Sequence, residues 1–81
     1  MNQITVLLAD DQTIIRDGLR ALLSSYPDIK VIAEAVNGLE AYEQSKIHHP
    51  DVVIMDIRMP QMDGVEATKI IKRDFPEIVI L

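Results

Sequence analysis

Apolar and polar residues alternate along the chain in blocks whose period switches between that of a buried strand and that of an amphipathic helix. Ile4-Thr-Val-Leu-Leu-Ala9 is a short apolar run closed by Asp10-Asp11, and it reads as a first strand. From Gln12 to Ser25, residues Ile15, Leu19, Leu22 and Leu23 fall on one helical stripe, with Arg16, Asp17 and Arg20 on the other side. Gly18 inside this helix costs about 1 kcal/mol relative to alanine, so it is either tolerated or marks a close approach. Ser24-Ser25-Tyr26-Pro27-Asp28 ends the helix, because Pro27 disfavours helical geometry at Tyr26.

From Ile29 to Val36, residues Val31, Ala33 and Ala35 alternate with Lys30 and Glu34, the pattern of a strand with one wetter face at a sheet edge. Asn37-Gly38-Leu39-Glu40 then starts a helix: Asn37 caps it and Glu40 reaches back, a variant of the capping box. That helix runs to about His48 and is stopped by Pro50. Asp51 leads into Val52-Val-Ile-Met55, apolar enough for burial on both faces, which runs straight into Asp56. Asp63-Gly64-Val65-Glu66 repeats the cap pattern and launches a third helix through about Asp74. Gly64, Thr68, Ile71 and Phe75 share one face of it, and Pro76 stops it. Glu77 to Leu81 is a fourth strand. Strand and helix alternating three times before a last strand, with connections this short, predicts an α/β fold. It is a single domain over residues 1–81, a parallel sheet with right-handed crossovers.

The chemistry gathers at one edge of that sheet. Parallel strands present their carboxyl ends together, and in open α/β sheets ligands bind there. If the first and third strands are neighbours, Asp10, Asp11 and Asp56 converge. Two carboxylates about 4 Å apart at an effective dielectric near 20 repel by roughly 4 kcal/mol. A domain this small is stable by only about 4–12 kcal/mol in total. Such a cluster is a liability unless a cation or retained protons relieve it, so a functional reading is favoured over a solvated strand end.

Composition narrows the choices. The chain has 81 residues, one small domain with a modest core, and no cysteine, which excludes disulfides and thiolate metal sites. No apolar stretch approaches membrane-spanning length, and Met1-Asn-Gln-Ile lacks the basic start of a signal peptide, so a cytoplasmic location is expected. The net charge of −5 and the scattered basic residues argue against this segment gripping a nucleic-acid backbone. Asp63 is better read as a cap than as chemistry. His48-His49 suits a helix carboxyl end better than a metal pair, since adjacent helical residues point apart. Met55 is expected in the core and Met59 in loop packing.

With these residues in hand, the chain resembles the receiver domain of two-component response regulators. The matching motifs are Leu7-Leu-Ala-Asp-Asp11 and the run from Asp51 to Gly64 that contains Met55-Asp-Ile-Arg-Met-Pro60. The run Asp11 to Leu23 is most similar to receivers that precede a LuxR-type helix-turn-helix. The resemblance implies a flavodoxin-like doubly wound sheet, here (βα)3β with strand order 2-1-3-4. It implies Asp56 as phosphoryl acceptor. It also implies a Mg²⁺ site made by Asp11, by Asp10 largely through water, by Asp56 and by the backbone carbonyl of Arg58. Ile14, Ile15 and Gly18 would lie on the helix that docks a histidine kinase. DNA would be reached through a helix-turn-helix domain outside these residues, with transcription as the output.

The resemblance further implies elements that these residues do not include. After the fourth strand, family members carry a Ser or Thr, a fourth helix, a fifth strand ending in Lys and a fifth helix. The chain thus looks truncated after its fourth strand. Left without a neighbour, Ile78-Val-Ile-Leu81 is an apolar edge expected to self-associate. Two other functions compete with the phospho-acceptor. One is a fold or assembly module without phosphorylation. The other is a Mg²⁺-dependent aspartyl-nucleophile phosphohydrolase, disfavoured because Asp10 and Asp11 are adjacent and the lone Asp56 follows the third strand.

Overall fold

The computed structural model describes residues 3–81; the first two residues, at the start of the segment read as lacking a signal peptide, lie outside them. The elements are β1 (Ile4–Ala9), α1 (Thr13–Leu23), β2 (Ile29–Ala35), α2 (Gly38–His48), β3 (Val52–Met55), α3 (Gly64–Asp74) and β4 (Val79–Ile80). The four strands form one parallel sheet in the order β2-β1-β3-β4. The chain steps from β1 outward to β2, then back across β1 to β3. Right-handed crossovers therefore put α1 on one face and α2 with α3 on the other. This is the doubly wound α/β arrangement the sequence predicts, with β2 at an edge.

The main core lies under α2 and α3. Leu7, Ala9, Ala35 and Val53 from the sheet meet Ala41 of α2 and Ile71 of α3 in one buried cluster. Met59 joins them, so this loop methionine is part of the core, while Met55 and Phe75 pack against it. The middle of α2 also meets the end of α3, where the Tyr42 hydroxyl donates to Asp74 Oδ2 at 2.6 Å. Both predicted caps form: Asn37 Oδ1 accepts from Glu40 N at 2.7 Å and Asp63 Oδ1 from Glu66 N at 2.9 Å. Glu40 reaches back to Val36 N at 3.1 Å.

The face carrying α1 is built differently from expectation. The stripe of Ile15, Leu19, Leu22 and Leu23 buries no residue fully, and Ile15 and Leu22 are exposed. Arg16 and Arg20, expected on the solvated side, instead turn onto Glu34 of β2. Arg16 Nε lies 2.8 Å from Glu34 Oε1, Arg16 Nη1 donates to the Asp10 carbonyl at 2.7 Å, and Arg20 pairs with Glu34 Oε2. The reason is the position of Glu34, which faces α1 from an edge strand and requires counter-charge. These ion pairs add to the apolar burial of Val6 and Leu8, which are buried outside the cluster under α2 and α3. Along the same edge Ile32 is skipped in the β1–β2 register, where Val6 pairs with Val31 and Leu7 with Ala33.

β4 is shorter than the predicted run of Glu77 to Leu81. Ile78 N bonds the Phe75 carbonyl in a turn, and Lys72 Nζ donates to the carbonyls of Pro76 and Ile78. These bonds hold the chain in a reversal until Val79. At the opposite end of the central pair, Thr5 N and Oγ1 both donate to Asp51 Oδ2, at 2.8 and 3.0 Å.

Candidate functional site

The site is an outcome of register. β1 and β3 pair in parallel with Val6 opposite Val52 and Ala9 opposite Met55, so the next residues, Asp10 and Asp56, leave the sheet side by side. The ladder continues one step past the strands: Asp56 N donates to the Ala9 carbonyl at 2.9 Å, and Asp10 N to the Ala35 carbonyl at 3.0 Å. Asp11 follows directly. Asp10, Asp11 and Asp56 each offer a carboxylate oxygen within 4.8 Å of the others'. Asp10 and Asp56 are half-buried and Asp11 is exposed. The predicted convergence is therefore present.

A local bond holds Asp10 more firmly than Asp56. Asp10 Oδ1 accepts from Gln12 N at 2.9 Å, which fixes that carboxylate at the entrance to α1. Asp56 Oδ1 takes only a long contact from Arg58 N, 3.4 Å, so this oxygen is weakly engaged. Each of the three lone-pair sets faces the carboxyl edge of the sheet, where a hard cation or an electrophile can be shared among oxygens. Among the described residues no Lys or Arg side chain forms an ion pair with these three carboxylates.

Against this geometry, residues 6–81 match the family described as the response regulator receiver domain. The chain belongs to that family. Among the relatives of this receiver domain is the transcriptional regulatory protein LnrK of Bacillus subtilis, 47% identical over 78 residues, which are 96% of this chain and 36% of that protein. A protein-glutamate methylesterase/protein-glutamine glutaminase of Methanosarcina acetivorans is 48% identical over 75 residues, 93% of this chain and 22% of that protein. Among solved structures, a two-component response regulator of the LuxR family from Aurantimonas superposes with a TM-score of 0.91 at 35% identity. That match covers 98% of this chain and 56% of the other. The receiver domain thus spans about a third or less of the length of these curated relatives.

The other predicted residues of the receiver are spread over two regions. Arg58 lies two residues past Asp56 in the β3–α3 loop. Ile14, Ile15 and Gly18 lie on the exposed surface of α1, with Ile14 77% exposed. A side chain added at Gly18 would meet open space, so no intramolecular close approach explains that glycine. Among the described residues, no second cluster of His, Asp or Glu gathers as a metal site, and His48 and His49 do not form one. His49 instead takes the left-handed conformation at the end of α2 and sets its ring edge-on to Phe75.

Two structural contributors were not singled out from sequence. Gly64 begins α3 directly against the backbone that leaves β3: its N–H donates to the Ile57 carbonyl at 2.8 Å. A β-carbon there would lie 2.9 Å from the carbonyl carbon of Asp56. The adjacency of Asp63-Gly64 carried a cap signal that masked this second requirement. The bond between Thr5 and Asp51 carries no such signal, because nothing in their residue types distinguishes them from ordinary loop-to-strand boundaries.

Proposed function

We propose that this receiver domain is a phospho-acceptor module of a two-component phosphorelay, taking a phosphoryl group from a histidine kinase onto Asp56. The observation that carries the reading is the meeting of three carboxylates, from the ends of two neighbouring strands, within 4.8 Å. In a small domain such repulsion persists where a ligand relieves it. The donor set fits Mg²⁺, which takes carboxylate, carbonyl and water oxygens and has little use for softer ligands. Asp10, Asp11, Asp56 and the backbone carbonyl of Arg58 are the residues that would hold it. When bound, the ion offsets the negative charge and polarises the incoming phosphoryl group.

The chain's own part is nucleophilic. A carboxylate oxygen of Asp56 bonds to phosphorus as the phosphorus–nitrogen bond of a phosphohistidine breaks, and the leaving imidazole takes up a proton from solvent. The product is an aspartyl phosphate, which adds charge and acceptor oxygens at the sheet edge. Ile14, Ile15 and Gly18 are the proposed kinase-docking surface, where exposed apolar side chains flank a helical position that leaves room for a partner. The domain acts as a signalling module in the cytoplasm and makes no contact with nucleic acid itself. Its similarity to a transcriptional regulator and to a LuxR-family regulator favours transcription as the output, reached through a DNA-binding domain. The test is incubation with Mg²⁺ and a small acyl phosphate, followed by mass spectrometry. One added phosphoryl group, lost in Asp56→Asn, is expected; modification that survives the substitution, or none at all, refutes the reading.

A second property is self-association through β4. Val79 and Leu81 are 50% and 72% exposed at the sheet edge, beside an apolar recess of about 360 Å³ between β4 and the start of α3. Among the described residues β4 is the outermost strand on that side, and an edge strand with apolar side chains pairs readily with another copy. Light scattering across a concentration series is expected to show growth in mass, and a strict monomer refutes it.

A further inference from the structure

The β3–α3 loop, residues 57–63, runs directly from Asp56 and includes Arg58, yet much of what holds it comes from α2. Asn37 uses both ends of its amide. Its oxygen caps α2 by accepting from Glu40 N, and its nitrogen donates to Gln61 Oε1 at 3.2 Å. Gln61 sits in the left-handed region with φ 63°, a conformation most side chains avoid, so a tertiary contact at that residue has strain to offset. Next along α2, Gly38 is buried and faces Met62. A β-carbon on Gly38 would lie 2.6 Å from the Met62 carbonyl carbon and 2.8 Å from Met62 Cβ, and closer still to the carbonyl oxygen. Capping an α-helix does not call for glycine at its first residue. The missing side chain therefore serves the loop, which passes through the space it leaves. Met59, buried in the core, holds the loop midway.

We propose that the Asn37-Gly38 start of α2 is a positioning element for the acidic site. It fixes the course of the β3–α3 loop, and through that loop the Asp56 carboxylate and the Arg58 carbonyl. The inference rests on the reading of Asp10, Asp11 and Asp56 as a Mg²⁺ site. Asn37 and Gly38 act through the loop and touch no ligand. Outer residues that orient metal ligands typically change affinity by about 10- to 100-fold when lost. Gly38→Ala, which forces the Met62 carbonyl away, belongs at the strong end of that range. Asn37→Ser keeps a capping hydroxyl but cannot reach Gln61, and belongs near or below the weak end.

The experiment is calorimetric titration of the whole chain with MgCl₂, alongside amide chemical shifts of the metal-free protein. Gly38→Ala is expected to bind Mg²⁺ about 10-fold or more weakly, with shifted Arg58 and Gly64 amides. Asn37→Ser and Gln61→Ala are each expected to weaken binding by about threefold, with similar effects because they break the same bond. Leu23→Ala, which removes packing at the far end of α1 on the opposite face of the sheet, should leave the affinity of the folded protein within about twofold of wild type. A folded Gly38→Ala with wild-type affinity overturns the proposal. If Gly38→Ala does not fold, unchanged affinity in both Asn37→Ser and Gln61→Ala overturns it. An equal loss in Leu23→Ala also overturns it, by showing that any destabilisation suffices. A wild-type chain that takes up no Mg²⁺ removes the acidic-site reading and this proposal together, whereas binding by every variant alike removes this proposal alone.

Discussion

The backbone carbonyl of Asp56 fills the space that a side chain on Gly64 would need. The residue that starts α3 and the residue at the tip of β3 thus meet through backbone alone, and the Gly64 N–H on the Ile57 carbonyl closes the contact. Gly64→Ala should push the loop and Asp56 outward. We expect a loss of about 1–3 kcal/mol in stability, read by urea unfolding, together with weaker Mg²⁺ binding. Retention of both at wild-type levels would mean that the helix start slides to accommodate a methyl group.

Glu34 gives the fold an acid-sensitive anchor. Hydrogen bonding from Arg20, reinforced by Arg16 and only partly opposed by burial, holds its carboxyl below the ordinary glutamate value. The stabilisation from a carboxyl depressed in this way is complete above its unfolded-state value and disappears as pH falls through the folded-state value. Urea unfolding of the wild type should therefore lose stability on acidification, and Glu34→Gln should flatten that acid limb. At neutral pH the substitution is expected to cost about 1 kcal/mol, because the ion pairs are partly exposed.

Removing charge from the acidic cluster should separate stability from binding. Asp11→Asn relieves repulsion in the metal-free chain and is expected to raise its unfolding free energy by up to about 1 kcal/mol, exposure and salt keeping the gain small. MgCl₂ is expected to raise the melting temperature of the wild type, and the same substitution is expected to abolish that rise. Thermal melts with and without MgCl₂ check both halves.

The cap of α3 is a control on the chemistry. Asp63 accepts from Glu66 N and is not one of the clustered carboxylates. Asp63→Ala should cost about 1 kcal/mol by urea unfolding and leave phosphorylation of Asp56 in place. Loss of phosphorylation in a stable Asp63→Ala would give this aspartate a part in the site.

Most of the fold was legible because period and punctuation agreed. The apolar runs at Val6 and Val52, the caps Asn37 and Asp63 and the stops Pro50 and Pro76 all mark real boundaries to within a residue or two, while α1 ends four residues before Pro27. The acidic cluster was legible because strand ends in a parallel sheet share an edge. The position of Arg16 and Arg20 was not legible. Helical periodicity reports which side chains share a face and is silent on whether a charged face finds a partner such as Glu34. The glycines at positions 38 and 64 were hidden for a related reason. Each sits beside a residue whose capping role already accounted for the pattern, and only coordinates reveal what passes over a missing β-carbon.

The Thr5–Asp51 bonds close the β1–β3 pair at the end remote from the acids, and those two residues are 46 positions apart in the chain. Asp10 and Asp56 have the same separation, so the pair is a ladder fastened at the bottom and read out at the top. Either strand can gain or lose a rung only if the other does likewise; a change in one alone would turn its terminal aspartate to the opposite side of the sheet. An insertion in one of these strands alone therefore puts the acids out of step unless a bulge absorbs it, as one does at Ile32 on the β2 side.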